Sequence, residues 1–259
     1  MSDLTAGAPD APFDASLTSP QDVPQPSRSR PRERLRAALE VILCSGFPTQ
    51  IGLLYVMSLL GFSPADRGLS IEFVAPLLLL DAAVVVGLVL LLMRLHGESV
   101  RQMFLGHRPI GREALIGLPL TFVVFGIVIF VLTLVQRVAP WLHNVPVNPL
   151  EGLIRTARDA TVFAVVATLA GGLREEVQRA FVLRRFERHL GGARVGLVIF
   201  SVIFGAGHAL QGWDAAITTG ALGAFWGVVY LRRRSIVAPV VSHSAFNAAE
   251  ILRFAMWGA

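Results

Sequence analysis

The sequence predicts an all-α fold: a polytopic membrane bundle of about seven transmembrane helices with its N-terminus on the cytoplasmic side. Three observations point there. The 259 residues are 54% hydrophobic and 16% charged, with a mean hydropathy of +0.61, whereas an ordinary soluble domain carries about 25% charged residues. The apolar residues fall in seven runs, each near the roughly 20 residues that a helix needs to span a bilayer. Arginine clusters separate the runs, the pattern that sets membrane orientation.

Residues 1–34 are rich in Pro, Ser, Asp and Arg. They lack the apolar core of a signal peptide and read as a disordered cytoplasmic tail. Arg28, Arg30, Arg32, Arg34 and Arg36 form a basic collar at its end. N-terminal transmembrane helices are then expected over 35–158. The first run, 37–62, contains Gly46, Pro48 and Gln50, so a bend is expected. The second and third runs are 73–93 and 114–135. Residues 159–259 form a helical core: a fourth run from Asp159 into the stretch GGLREEVQRAFVLRRFER, a fifth over 195–210, a sixth over 215–231 and a seventh over 236–256.

With the tail inside, the ends carrying Arg94 to Arg112, Arg184 to Arg194 and Arg232 to Arg234 are cytoplasmic too. Arg155 and Arg158 fit this alternation least well. The net charge of +5 comes with no lysine at all. Because the arginines sit at run ends, a nucleic-acid partner is excluded and the partner is the lipid bilayer. The all-arginine, alanine-rich usage suggests a bacterial cytoplasmic membrane. The single cysteine, Cys44, allows no internal disulfide. Its apolar surroundings also do not suit a thiolate catalyst.

The fourth run is the chemically informative one. An ionisable group at membrane depth costs roughly 2.5–3.5 kcal/mol on insertion scales, so a cluster of them marks a site. Glu175 precedes the Gly191-Gly192 turn by sixteen residues, and His208 follows it by sixteen. Two antiparallel helices would therefore bring that carboxylate and that imidazole to similar depth. His243 and Asn247 are four apart, on one helix face that Glu250 continues. A carboxylate beside an imidazole can deprotonate water, and a second histidine with an amide can stabilise an oxyanion. Arg179 is spaced to pair with a glutamate. The same types could instead hold zinc, although no pair has the compact HExxH spacing.

At these residues the chain resembles the CAAX-protease and bacteriocin-processing (CPBP, or ABI) intramembrane endopeptidases. The resemblance rests on Glu175-Glu176 with Arg179, Phe204-Gly-Ala-Gly-His208, and His243-Ser-Ala-Phe-Asn247, and it covers about 159–254. It implies a CAAX prenyl protease-like hydrolysis of a peptide bond in a membrane-associated peptide or protein substrate. Glu175, Glu176, His208, His243, Asn247 and Arg179 would be the catalytic residues; divalent zinc on these side chains is the alternative that the donor types leave open. The chain departs from the family by leaving two residues, not three, between Glu176 and Arg179. Aligning Arg179 instead puts the pair on Arg174 and Glu175; Glu175 belongs to it in either register.

Blander readings stand beside these. The glutamates could mark a solvated helix end, His208 could be a packing residue, and His243 with Asn247 could be interhelical glue. Arg184, Arg185 and Arg188 are expected to snorkel towards lipid headgroups. Asp81 is expected to be a structural partner of another polar group. The shortened Glu-to-Arg spacing supports an alternative function, a non-catalytic immunity or accessory protein of the same fold. A proton-coupled transporter ranks last, because no internal repeat is visible.

Overall fold

A computed structural model describes residues 30–62 and 69–258. The described residues are helical throughout apart from their connections. In chain order the helices are α1 (Pro31–Leu43), α2 (Phe47–Leu59), α3 (Ile71–Leu95), α4 (Val100–Phe104) and α5 (Ile110–Val138). After two short 3₁₀ turns come α6 (Ala157–Val166), a π segment (Ala167–Arg174) and α7 (Glu175–His189). Then follow α8 (Ala193–Ala206), a 3₁₀ turn (Ala209–Gln211), α9 (Trp213–Arg233) and α10 (Val237–Trp257). Residues 1–29 of the expected tail lie outside the described residues. Its last part is helical, because Pro31 occupies the first turn of α1, where its missing N–H costs nothing.

The seven apolar runs each correspond to one helical stretch, and the first is bent. The chain turns by 45° between α1 and α2, at Gly46, whose φ is +86°. Three helices, α3, α5 and α9, are long and apolar enough to cross a membrane, or four stretches if the bent pair counts as one. The remaining stretches fall short of that test for physical reasons. Helix α8 has only 14 residues. The α6–α7 stretch carries buried ionisable groups, and α10 carries Ser242, His243, Ser244 and Asn247. The all-α membrane bundle stands, with three to four of its stretches long and apolar enough to cross a membrane.

Ion pairs tie the arginine-bearing ends together. Arg233 donates to both oxygens of Glu113 at 2.6 Å, and Arg234 to both oxygens of Glu187 at 2.8 and 2.6 Å. Arg185, itself buried, donates to Glu40 at 2.6 Å and to Glu98 at 2.9 Å. Arg188 also pairs with Glu98, and Arg184 with Glu187 at 2.7 Å. The last turn of α1, the start of α5, the ends of α3, α7 and α9, and the turn before α4 therefore meet at one side. These pairs also correct the expectation that Arg184, Arg185 and Arg188 snorkel. Acidic partners from neighbouring elements reach them, so they clamp helices together. At the far side Asp214 accepts from Gln136 at 2.9 Å and lies 2.8 Å from His143 Nδ1.

Helix α6 starts at a reciprocal cap. Thr156 Oγ1 accepts from the Asp159 N–H, and Asp159 Oδ2 accepts from the Thr156 N–H at 2.9 Å. The helix then widens into the π segment, which packs along α10. Such widenings recur at functional sites. Contact here depends on Gly172: a Cβ at that position would overlap the Ser244 side chain.

Candidate active site

The first turn of α7 sends its two glutamates in different directions. Glu176 points into the core and is 1% exposed. Arg179, fully buried, pairs with it one turn on. The Arg179 guanidinium lies among three rings, with its carbon 5.1 Å from the Phe200 centroid, 5.0 Å from Phe204 and 5.6 Å from Trp226. Aromatic faces are the cheap way to house an arginine among apolar helices.

His243 links the two glutamates. Its Nδ1 is 3.0 Å from Glu176 Oε1, a hydrogen bond, and its Nε2 is 3.8 Å from Glu175 Oε2, too long for one. A carboxylate engaged by Arg179 is an acceptor, so Nδ1 carries the proton. The ring is fixed in plane by Trp226, stacked at 3.8 Å between centroids. Trp226 in turn donates from Nε1 to Ser242 at 2.9 Å.

Glu175 faces elsewhere. It lines a cavity of about 140 Å³, with His208, Gln178 and Arg174 as further polar walls. That volume resembles an engineered cavity of about 150 Å³ that binds benzene. Phe47 and Gly46, at the α1–α2 bend, close another side. His208 sits just past the end of α8. Its Nδ1 lies 2.8 Å from the Phe204 carbonyl. A carbonyl only accepts, so Nδ1 holds the proton and Nε2 of the neutral ring is an acceptor. Phe204 packs against His208 at 5.0 Å between centroids, as the FGAGH spacing suggests.

The expected constellation is thus divided into two layers. Glu175 and His208 share the cavity, and Glu176, Arg179 and His243 form the support behind Glu175. Asn247 does not line the cavity. Its Nδ2 donates weakly to the Ala167 carbonyl at 3.4 Å and lies against Gly171, so it tethers the π segment to α10. Glu250, farther along α10, pairs with Arg253 at 3.2 Å.

Two participants were not singled out by sequence. Trp226 orients His243, but an aromatic residue in an apolar helix carries no distinguishing signal. Gln178 donates to the Cys44 carbonyl at 2.8 Å, satisfying a backbone acceptor freed by the α1–α2 break. Asp81 meets its expectation of a polar partner twice over: Arg174 Nη2 donates to it at 2.5 Å and the Thr49 hydroxyl donates as well.

The donors do not fit a zinc ion as arranged. Among the described residues no three His, Cys, Asp or Glu side chains converge for a metal.

Residues 157–249 match the family model of the type II CAAX prenyl endopeptidases, described as Rce1-like. The motif resemblance is borne out over this stretch. The Rce1-like segment runs from the start of α6 into α10 and so contains every residue of both layers. No curated protein and no solved structure matches the chain. With helices long and apolar enough to cross a membrane, this is an integral membrane protein whose residues 157–249 are similar to the type II CAAX prenyl endopeptidases.

Proposed function

We propose that this chain is an intramembrane endopeptidase, CAAX prenyl protease-like, of a bacterial cytoplasmic membrane. It cleaves a peptide bond of a membrane-associated substrate with a water activated by Glu175. The observation that carries this reading is the shared cavity: Glu175, in the first turn of α7, and His208, just past the end of α8, line one small chamber beneath the α1–α2 bend.

The Glu175 carboxylate takes a proton from water while His208 Nε2 accepts the water's second hydrogen bond. The resulting hydroxide attacks the peptide carbonyl carbon. When the C–N bond breaks, the proton held by Glu175 passes to the leaving amine. His243 stands behind Glu175, with its ring Nε2 3.8 Å from that carboxylate, and supports that side chain. Glu176 and Arg179 hold that ring, and Asn247 fixes the π segment from which Glu175 emerges.

The test uses purified protein in detergent with N-acylated peptides of mixed sequence, read by mass spectrometry. Wild type releases two fragments; Glu175→Gln and His208→Ala fold normally and release none. The shortened spacing between Glu176 and Arg179 favours a second reading, a non-catalytic immunity or accessory protein of the same fold. That reading predicts full rescue of a deletion phenotype by Glu175→Gln.

A further inference from the structure

Arg174, the residue before Glu175, lines the same cavity and is 7% exposed. Two of its three nitrogens are committed. Nη2 donates to Asp81 at 2.5 Å and Nη1 to Gln178 at 3.0 Å. Nε is buried and has no partner among the described residues. A buried N–H without an acceptor costs about 1–3 kcal/mol, so its persistence beside a reactive carboxylate calls for a use. The surroundings are built to hold this guanidinium. Thr49 fixes the other oxygen of Asp81, and Gly46 leaves the space, since a Cβ there would overlap the Arg174 guanidinium.

We propose that Arg174 is a substrate-positioning residue, whose Nε–H donates to a peptide carbonyl oxygen next to the scissile bond, with Asp81 as its fixed counter-ion. The assignment rests on the endopeptidase reading. The charge balance selects the acceptor. Asp81 already neutralises Arg174, and Glu175 adds a negative charge to the wall. A second carboxylate would be repelled there, whereas a neutral carbonyl is not. The ligand group is therefore an internal backbone carbonyl and not a terminal carboxylate.

The experiment compares wild type, Arg174→Lys and the double variant Arg174→Met with Asp81→Asn, using an N-acylated, internally quenched peptide in detergent micelles. Lysine keeps the ion pair with Asp81 and removes the Nε–H. The double variant removes both charges together, a change that buried pairs commonly tolerate. Both variants are expected to raise KM about tenfold or more, the effect of losing a charge-assisted hydrogen bond, with kcat within about threefold. The rise is expected to be equal for peptides with free and amidated C-termini. Binding of the same labelled peptide to Glu175→Gln, read by anisotropy, is expected to weaken by the same factor when Arg174→Lys is added. Wild-type KM in Arg174→Lys, or a loss confined to thermal stability, overturns the proposal. A KM rise seen only with the free carboxylate overturns the assignment of the acceptor. Arg174-dependent binding without cleavage by wild type would count against the endopeptidase reading and leave the peptide contact standing.

Discussion

His243 Nδ1 lies 3.0 Å from Glu176 Oε1 in the core, on the side of the ring away from Glu175. Glu176 therefore serves two cations or donors at once, Arg179 and His243. Replacing it with glutamine keeps an acceptor but leaves Arg179 as an unpaired buried charge. Glu176→Gln is expected to cost about 3–5 kcal/mol, read as a fall in the thermal unfolding midpoint in detergent. Glu176→Gln combined with Arg179→Met removes both charges and recovers most of that loss. Equal destabilisation in the single and double variants would contradict the pairing.

Close approach of the π segment to α10 sets a second expectation. A Cβ at Gly172 would overlap the Ser244 hydroxyl and stand 3.0 Å from Ser244 Cβ. Backbone must shift to accept it, because the Ser244 Cα is only 3.2 Å away. Gly172→Ala is expected to cost about 1–3 kcal/mol, as overpacking does, and Ser244→Ala to recover only part. Full recovery in the double variant would show that the hydroxyl alone was in the way.

The arginine-bearing end carries a pH-dependent clamp. Hydrogen bonds from Arg234, then Arg184, hold the Glu187 carboxyl well below its ordinary 4.5, at about 2, against the opposing effect of burial. A carboxyl depressed by folding stabilises the fold above its unfolded value. That contribution is lost as pH falls from about 4.5 towards 2. Glu187→Gln is expected to lower the unfolding midpoint at pH 7 and to flatten its fall across that acid window. Parallel acid profiles for wild type and variant would show that the clamp contributes nothing.

Much of this arrangement was legible in the sequence because apolar runs and turn glycines are local signals. The Gly191-Gly192 turn, with equal spacing to Glu175 and His208, implied similar depth for the two, and both line one cavity. The bend near Gly46 was legible from Gly46 and Pro48. Its use as a cavity wall was not, since that depends on Arg174 arriving from a distant helix. Arg185 carries the same lesson. Nothing local distinguishes a snorkelling arginine from one that meets Glu40 and Glu98, residues far away in the chain. The i,i+4 relation put Asn247 and His243 on one face, but one turn apart the first meets the Ala167 carbonyl and the second meets Glu176. The π segment left no periodic trace, because widening a helix changes its phase without changing its composition.

Activity of Glu175→Gln against a membrane-anchored peptide tests the central claim most directly. Removing a general base is expected to lower kcat by about 10²–10⁴-fold, with the thermal unfolding midpoint unchanged, because Glu175 faces the cavity and not the packed core. Cleavage at the wild-type rate by this variant, at equal purity, would contradict the account.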